Sequence, residues 1–94
     1  RFGGDEFVVV LPGTDAAGAL RFAERARSYF ASVPFVFGTV AVRASLSAGV
    51  ASWPEVQAAT GTELIACADA ALYVAKQEGR DRACIAPAEG AVSC

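Results

Sequence analysis

Between residues 15 and 32, apolar positions return every three or four places. Ala16, Leu20, Ala23, Ala26 and Phe30 fall on one side of a helix, and Arg21, Glu24, Arg25 and Ser28 on the other. The spacing predicts an amphipathic helix over 15–32, closed by Pro34. From Val40 the period changes to two. Val40, Val42, Ala44, Leu46, Ala48 and Val50 alternate with Ala41, Arg43, Ser45, Ser47, Gly49 and Ala51. This is the pattern of a half-buried strand, with residues 35–37 a candidate partner across a turn at Gly38-Thr39. Trp53-Pro54 through Gly61 reads as a loop, with Trp53 as a packing residue and Ser45 and Ser47 as outward strand positions. Thr60-x-x-Glu63 has capping-box spacing and opens a second helix, whose apolar face is Leu64, Ala68, Ala71, Leu72 and Ala75. Gly79 stands where a left-handed residue just past a helix end belongs. Ala83-Cys84-Ile85 reads as a short last strand, and 86–94 as a loose tail.

The opening residues break these patterns. Gly3-Gly4 supplies the positive φ angles of a tight turn, and the continuous apolar run Phe7 to Leu11 predicts a buried strand ended by Pro12-Gly13. A hairpin needs a strand before its turn, yet only Arg1-Phe2 precede this one. The chain is therefore expected to start in mid-hairpin, as a fragment. The element order is strand, helix, strand pair, helix, strand, with no internal repeat. This predicts an α+β or α/β layer of helices on a mainly antiparallel sheet.

Composition narrows the chemistry. The chain has 94 residues, enough for one domain at most, with 54% hydrophobic and 19% charged positions, which marks globular material. A formal charge of -2 and a pI near 4.9 argue against a nucleic-acid polymer as partner. The uncharged stretch from Ser28 to Val42 is shorter than the roughly 20 apolar residues a spanning helix needs, and Pro34 and Gly38 break it, so no membrane contact is expected. No basic stretch followed by an apolar one opens the chain, so no signal peptide is expected. There is no histidine, and the three cysteines, Cys67, Cys84 and Cys94, form no CxxC pair. Zinc and haem sites, imidazole acid–base chemistry and Ser-His-Asp triads are not expected. The odd cysteine count without framework spacing suits a reducing compartment, most simply the cytoplasm. Carboxylates, Lys, Arg and a hard metal remain.

Two places can carry such chemistry. At Gly3-Gly4-Asp5-Glu6, a glycine turn lets backbone approach a ligand, and two adjacent carboxylates offer the oxygen ligands that Mg²⁺ prefers. On a regular strand Asp5 and Glu6 point to opposite faces, so both serve one site only if the turn rotates Asp5. The same residues also suit an ordinary hairpin turn with solvated acids. In the second helix, Asp69, Tyr73, Lys76 and Arg80 lie at i, i+4, i+7 and i+11, so Lys76 and Arg80 can project together as a cation pair that grips phosphate oxygens. Cations in a last turn also simply offset the helix dipole. Arg21 and Arg25 repel mildly unless an anion sits between them, and Glu24 beside them suits a solvated face.

These residues resemble a known family. Arg1 to Phe7 reads RFGGDEF, the signature of the GGDEF domains, the bacterial diguanylate cyclases. The ALRFAER helix (Ala19 to Arg25), the Ser-x-Gly-Val-Ala strand (Ser47 to Ala51) and ADAALYVAKQEGRDR (Ala68 to Arg82) agree in order and spacing, with Asp81 in the usual Asn place. The resemblance implies that residues 1–85 are the C-terminal part of such a domain, followed by the tail 86–94. It implies an α+β fold like that of nucleotidyl cyclases, a ferredoxin-like palm with a central antiparallel sheet and flanking helices, here truncated at its N-terminus. It further implies condensation of two GTP into cyclic di-GMP and two pyrophosphates, between two domains that face each other as a homodimer, with Mg²⁺ or Mn²⁺ as cofactor. By the same resemblance Asp5 is a metal ligand and helps deprotonate the 3′-hydroxyl, while Glu6 is the neighbouring metal and catalytic acid. Gly3 and Gly4 make room for the nucleotide phosphates, Lys76 and Arg80 bind the terminal ones, and Arg25 belongs to an inhibitory site for cyclic di-GMP.

The family's other metal-binding Asp, its guanine-reading Asn and Asp, and its RxxD inhibitory motif find no counterpart in this sequence. The fragment alone is therefore expected to be inactive and poorly stable, with unpaired sheet edges. Sensor domains usually precede such a domain, so an upstream sensor is an expected partner. A catalytically silent module that binds GTP or cyclic di-GMP is the alternative, and a purely structural dimerisation domain a third. The intact signature, Lys76 and Arg80 favour the cyclase.

Overall fold

In the computed structural model, which describes residues 5–94, the first helix, α1 (Ala16–Ser32), forms where the apolar stripe predicted it. Asp15 caps it, accepting from the Gly18 N–H at 2.8 Å. Its first turn holds no acid, and Glu55 compensates from across the fold by accepting from the Ala16 N–H at 2.9 Å. At the other end Arg43 donates to the Ser32 carbonyl at 3.1 Å and the Ala31 carbonyl at 3.4 Å, a cation at the negative pole of a helix whose last turn has no base of its own. Ala23 is buried, and Ala16, Leu20, Ala26 and Phe30 are half-buried on the same side.

The alternating stretch divides into two strands rather than one. β1 (Phe35–Phe37) pairs antiparallel with β2 (Val40–Val42), Phe35 opposite Val42 and Phe37 opposite Val40, through the turn at Gly38, whose φ is +63°. The expected partnership of 35–37 therefore holds. Both strands are exposed along their length, tied to α1 where the Phe30 and Phe35 rings meet at 5.1 Å. After an irregular stretch comes β3 (Ala48–Val50), followed by α2 (Gly61–Gln77) and β4 (Ala83–Ile85). β3 and β4 run parallel, Ala48 opposite Ala83 and Val50 opposite Ile85. The chain is α+β, but this pair departs from the expected mainly antiparallel sheet. A helix placed between two neighbouring strands brings the chain back in the same direction, as in a βαβ unit.

This two-stranded parallel sheet is the centre of the core. Ala48 and Val50 of β3, with Ala83 and Ile85 of β4, pack on Ala19, Leu20 and Ala23 of α1. Cys84, one step out of phase, faces Ala71 and Ala75 of α2 on the other side. Gly49 shares that second face. A Cβ on it would collide with the Ala68 carbonyl oxygen and the Leu72 amide nitrogen, and would stand 2.9 Å from the Leu72 Cα. The missing side chain is what lets the α2 backbone lie directly on β3.

α2 begins with the expected cap: Thr60 accepts from the Glu63 N–H at 3.1 Å, while Glu63 reaches back to the Ala59 N–H at 2.7 Å, one residue before the usual capping-box donor. It ends at Gln77 with Glu78 as its C-cap, Gly79 at φ +116° and the Arg80 N–H bonded to the Ala75 carbonyl at 2.9 Å, a Schellman closure.

Further expectations change. Residues 7–11 form no strand among the described residues, and Phe7, Val9 and Val10 are 74%, 62% and 77% exposed rather than buried. A strand is made by pairing, and no described strand pairs with this segment. Trp53, at 65% exposed beside a cis Pro54, is a surface residue, and the packing role in that loop falls to buried Val56. The segment read as a loose tail is held at two points. Ser93 exchanges backbone hydrogen bonds with Ile85 at 2.7 and 3.2 Å, and Val92 and Ala86 pack beside Cys84. That antiparallel bridge sets Cys94 opposite Cys84, Cα atoms 4.0 Å apart, and the two are joined as a disulfide where sequence spacing suggested no pair. Cys67 is free. No described helix is long and apolar enough to cross a membrane.

Candidate functional site

α2 closes against the start of the described chain through its last turn. Lys76, the only base of that turn, is half-buried and sets its Nζ 3.3 Å from the Glu6 Oε2. The pair spans 70 residues of sequence and joins the acidic signature to the cation predicted to hold phosphate. Its side chains keep 33% and 35% of their exposure, so the contact contributes about 0–1 kcal/mol and can open for a competing anion. Asp5 is exposed beside it in a turn. Gly3 and Gly4 lie outside the described residues.

Two carboxylates of this kind suit a hard cation such as Mg²⁺ in donor chemistry. Among the described residues no cluster of three or more acidic, Cys or His side chains forms, so Asp5 and Glu6 need further oxygens, such as water or substrate phosphate, to complete an octahedral shell.

Arg80 departs from the helical stripe that the sequence suggested. Asp69 and exposed Tyr73 lie on α2, but the helix stops at Gln77, and Gly79 turns the chain before Arg80. Arg80 itself has φ +64° and Asp81 φ +49°, two consecutive non-glycine residues in the left-handed region. Lys76 and Arg80 thus flank the end of α2 instead of sharing one face of it.

Arg25 is exposed on α1, in an open groove with Phe22, Ala26, Ser28 and Tyr29. Because α1 and α2 cover opposite faces of β3–β4, this groove is separate from the Glu6–Lys76 contact.

Sequence reasoning missed a second polar cluster. Arg27 donates through Nε to Glu24 Oε2 and through Nη1 to Asp81 Oδ1, at 3.0 and 3.1 Å. Glu24 uses its other oxygen to accept from the Ala83 N–H at 3.3 Å, and Ser47, expected to point idly outward, accepts from the Asp81 N–H at 3.0 Å. The hydrogen bond to Glu24, and then that to Asp81, raise the Arg27 guanidinium above its already high ordinary range, so it is cationic at any pH the fold survives. The Glu24-x-x-Arg27 spacing was a visible i, i+3 signal; the Asp81 partner, 54 residues away, was not.

Comparison with known proteins agrees with the signature. The family model described as diguanylate cyclase, GGDEF domain, matches residues 1–82. Diguanylate cyclase DgcP of Pseudomonas aeruginosa is 42% identical over 82 residues, covering 87% of this chain and 12% of its own length. The response regulator PleD of Caulobacter vibrioides is 37% identical over 89 residues, 86% of this chain and 18% of its length. Diguanylate cyclase A of Treponema denticola is 34% identical over 82 residues, 87% of this chain and 22% of its length. The chain thus spans less than a quarter of each of these relatives. No solved structure matches it significantly. With the signature, the SAGVA strand and the α2 block all inside the matched residues, the chain belongs to the GGDEF domain family of diguanylate cyclases.

Proposed function

We propose that residues 1–85 form the part of a diguanylate cyclase domain that supplies the signature acids and the terminal-phosphate cations. The reading rests on one observation above all, the Glu6–Lys76 contact, which puts a family acid and a family cation 3.3 Å apart at the end of α2. The relatives that are diguanylate cyclases support the substrate class.

The reaction joins two GTP molecules held by two copies of the domain. Each 3′-oxygen forms a bond to the α-phosphorus of the opposite nucleotide, the α–β phosphoanhydride bond breaks, and pyrophosphate leaves. Asp5 takes up the 3′-hydroxyl proton, directly or through one water. Lys76 releases Glu6 for the terminal phosphates, where the ammonium and the Arg80 guanidinium offset the charge that grows on the leaving group. Gly3 and Gly4 leave backbone room for the phosphates. Asp5 and Glu6 would also hold Mg²⁺ or Mn²⁺, which would supply Lewis-acid stabilisation of phosphate charge. Arg25, in its groove on the far face, binds cyclic di-GMP as an inhibitor. GTP as substrate suits the cytoplasm, a reducing compartment in which the Cys84–Cys94 disulfide is open to reduction. An upstream sensor controls its pairing. The 94 residues alone do not turn over GTP, since two carboxylates without base-reading groups make an incomplete site.

The test is turnover of GTP with Mg²⁺ by the full-length protein carrying this sequence, beside an Asp5→Ala, Glu6→Ala variant. Cyclic di-GMP from the first and none from the second is the expected result. Binding of GTP or cyclic di-GMP without product, in a folded dimer, would make the chain a silent sensor module instead.

A further inference from the structure

The loop from Gly79 to Arg82 is built against its own preference. Two successive non-glycine residues, Arg80 at φ +64° and Asp81 at φ +49°, occupy a region that costs an L-residue about 1 kcal/mol or more each, with Asp the more tolerant. Such a conformation persists only where neighbours over-determine it. Here they come from three elements. The end of α2 holds the Arg80 N–H through the Ala75 carbonyl, and Ser47, just before β3, holds the Asp81 N–H. From α1, Arg27 holds the Asp81 carboxylate, while Glu24, itself braced by Arg27, holds the Ala83 N–H at the start of β4. Asp81 stands at the centre, with its amide bonded on one side and its carboxylate on the other.

We propose that Arg27 and Asp81 are positioning residues for Arg80: their ion pair clasps the loop to α1 and fixes the direction in which the Arg80 guanidinium meets an anion. The clasp rests on the phosphate-binding role given to Arg80 above. Neither Arg27 nor Asp81 touches the nucleotide in this scheme. Arg27 suits the task because its planar fork reaches Glu24 and Asp81 at once, which a lysine ammonium cannot do with the same geometry. Asp81 suits it because an acid tolerates the left-handed region and also supplies the charge that Arg27 needs.

A double-mutant cycle on the full-length protein tests this, with 3′-deoxy-GTP and Mg²⁺ as the probe, a nucleotide that lacks the attacking hydroxyl and is not consumed. Arg27→Ala should weaken its binding roughly three- to tenfold, and should weaken it no further in an Arg80→Ala background, because the effect passes through Arg80. Amide exchange at Arg80 and Asp81 should quicken in Arg27→Ala. If Arg27→Ala unfolds the domain, Arg27→Lys takes its place and should give the same pattern in milder form. Asp81→Asn, which keeps the backbone preference and an oxygen acceptor but removes the charge, should weaken binding in the same direction as Arg27→Ala and by less; a loss in Asp81→Asn that persists in the Arg80→Ala background would count against the clasp. Equal losses in both backgrounds, or unchanged binding in a folded Arg27 variant, would overturn the proposal. If Arg80→Ala leaves binding unchanged, the phosphate role of Arg80 fails. The clasp is then judged by exchange alone, and unaltered exchange in the Arg27 variant would overturn it too.

Discussion

Single atoms decide much at the residue scale. Gly49 has an ordinary backbone conformation, so its glycine is required by space and not by φ: the Ala68 carbonyl and the Leu72 amide of α2 occupy the place of a side chain. Gly49→Ala should therefore destabilise the domain by about 3 kcal/mol, the upper end of the overpacking range, because the obstacle is backbone that cannot rotate aside. Denaturant unfolding of the full-length protein reads this directly, and a loss under about 0.5 kcal/mol would mean that α2 stands farther from β3. In the sequence Gly49 was visible as one position in an alternating strand and in the Ser-x-Gly-Val-Ala block, and neither tells what it packs against. Its meaning depends on a helix that starts twelve residues later. Asp81 teaches the same lesson. Its replacement of the usual Asn was legible, but the Arg27 that gives its charge a use lies 54 residues upstream.

Elements that depend on local chemistry formed where their patterns placed them. α1 and α2 follow their apolar stripes, their N-caps and the glycine past the end of α2, because each signal acts within four residues. Thr60→Ala removes the acceptor of the Glu63 N–H, and should cost about 1 kcal/mol; Thr60→Ser should recover most of it, as read by thermal unfolding. Strands behave differently. The alternation of residues 40–50 was genuine, yet it spans two strands in two sheets, since Val40–Val42 pairs backward with β1 and Ala48–Val50 pairs sideways with β4. Periodicity tells which face a residue takes and is silent about the neighbour that completes the ladder.

At the scale of the whole molecule, the core is a two-stranded parallel sheet between two helices, with much apolar surface left outside it. Phe7, Val9, Val10, Val36 and Phe37 are each more than 60% exposed, beyond what scattered surface residues explain. The isolated 94-residue chain should self-associate and bind a hydrophobic dye. Val8→Lys with Val10→Lys should shift sedimentation toward monomer, and a monodisperse monomer from the unsubstituted chain would contradict this.

The sequence by itself determined the family, through a seven-residue signature and an α2 block that agree in order, and it determined both helices, because those signals are carried by neighbours along the chain. It also named the acids and cations of the candidate site. Only the tertiary structure decided how they meet. It put Lys76 on Glu6, turned Arg80 out of its helical stripe, separated Arg25 from both, and bound Asp81 to Arg27. It also set β3 parallel to β4 and left residues 7–11 unpaired among the described residues. Each of these depends on atoms distant in sequence, and no local period or spacing encodes which distant backbone or side chain will satisfy a given group.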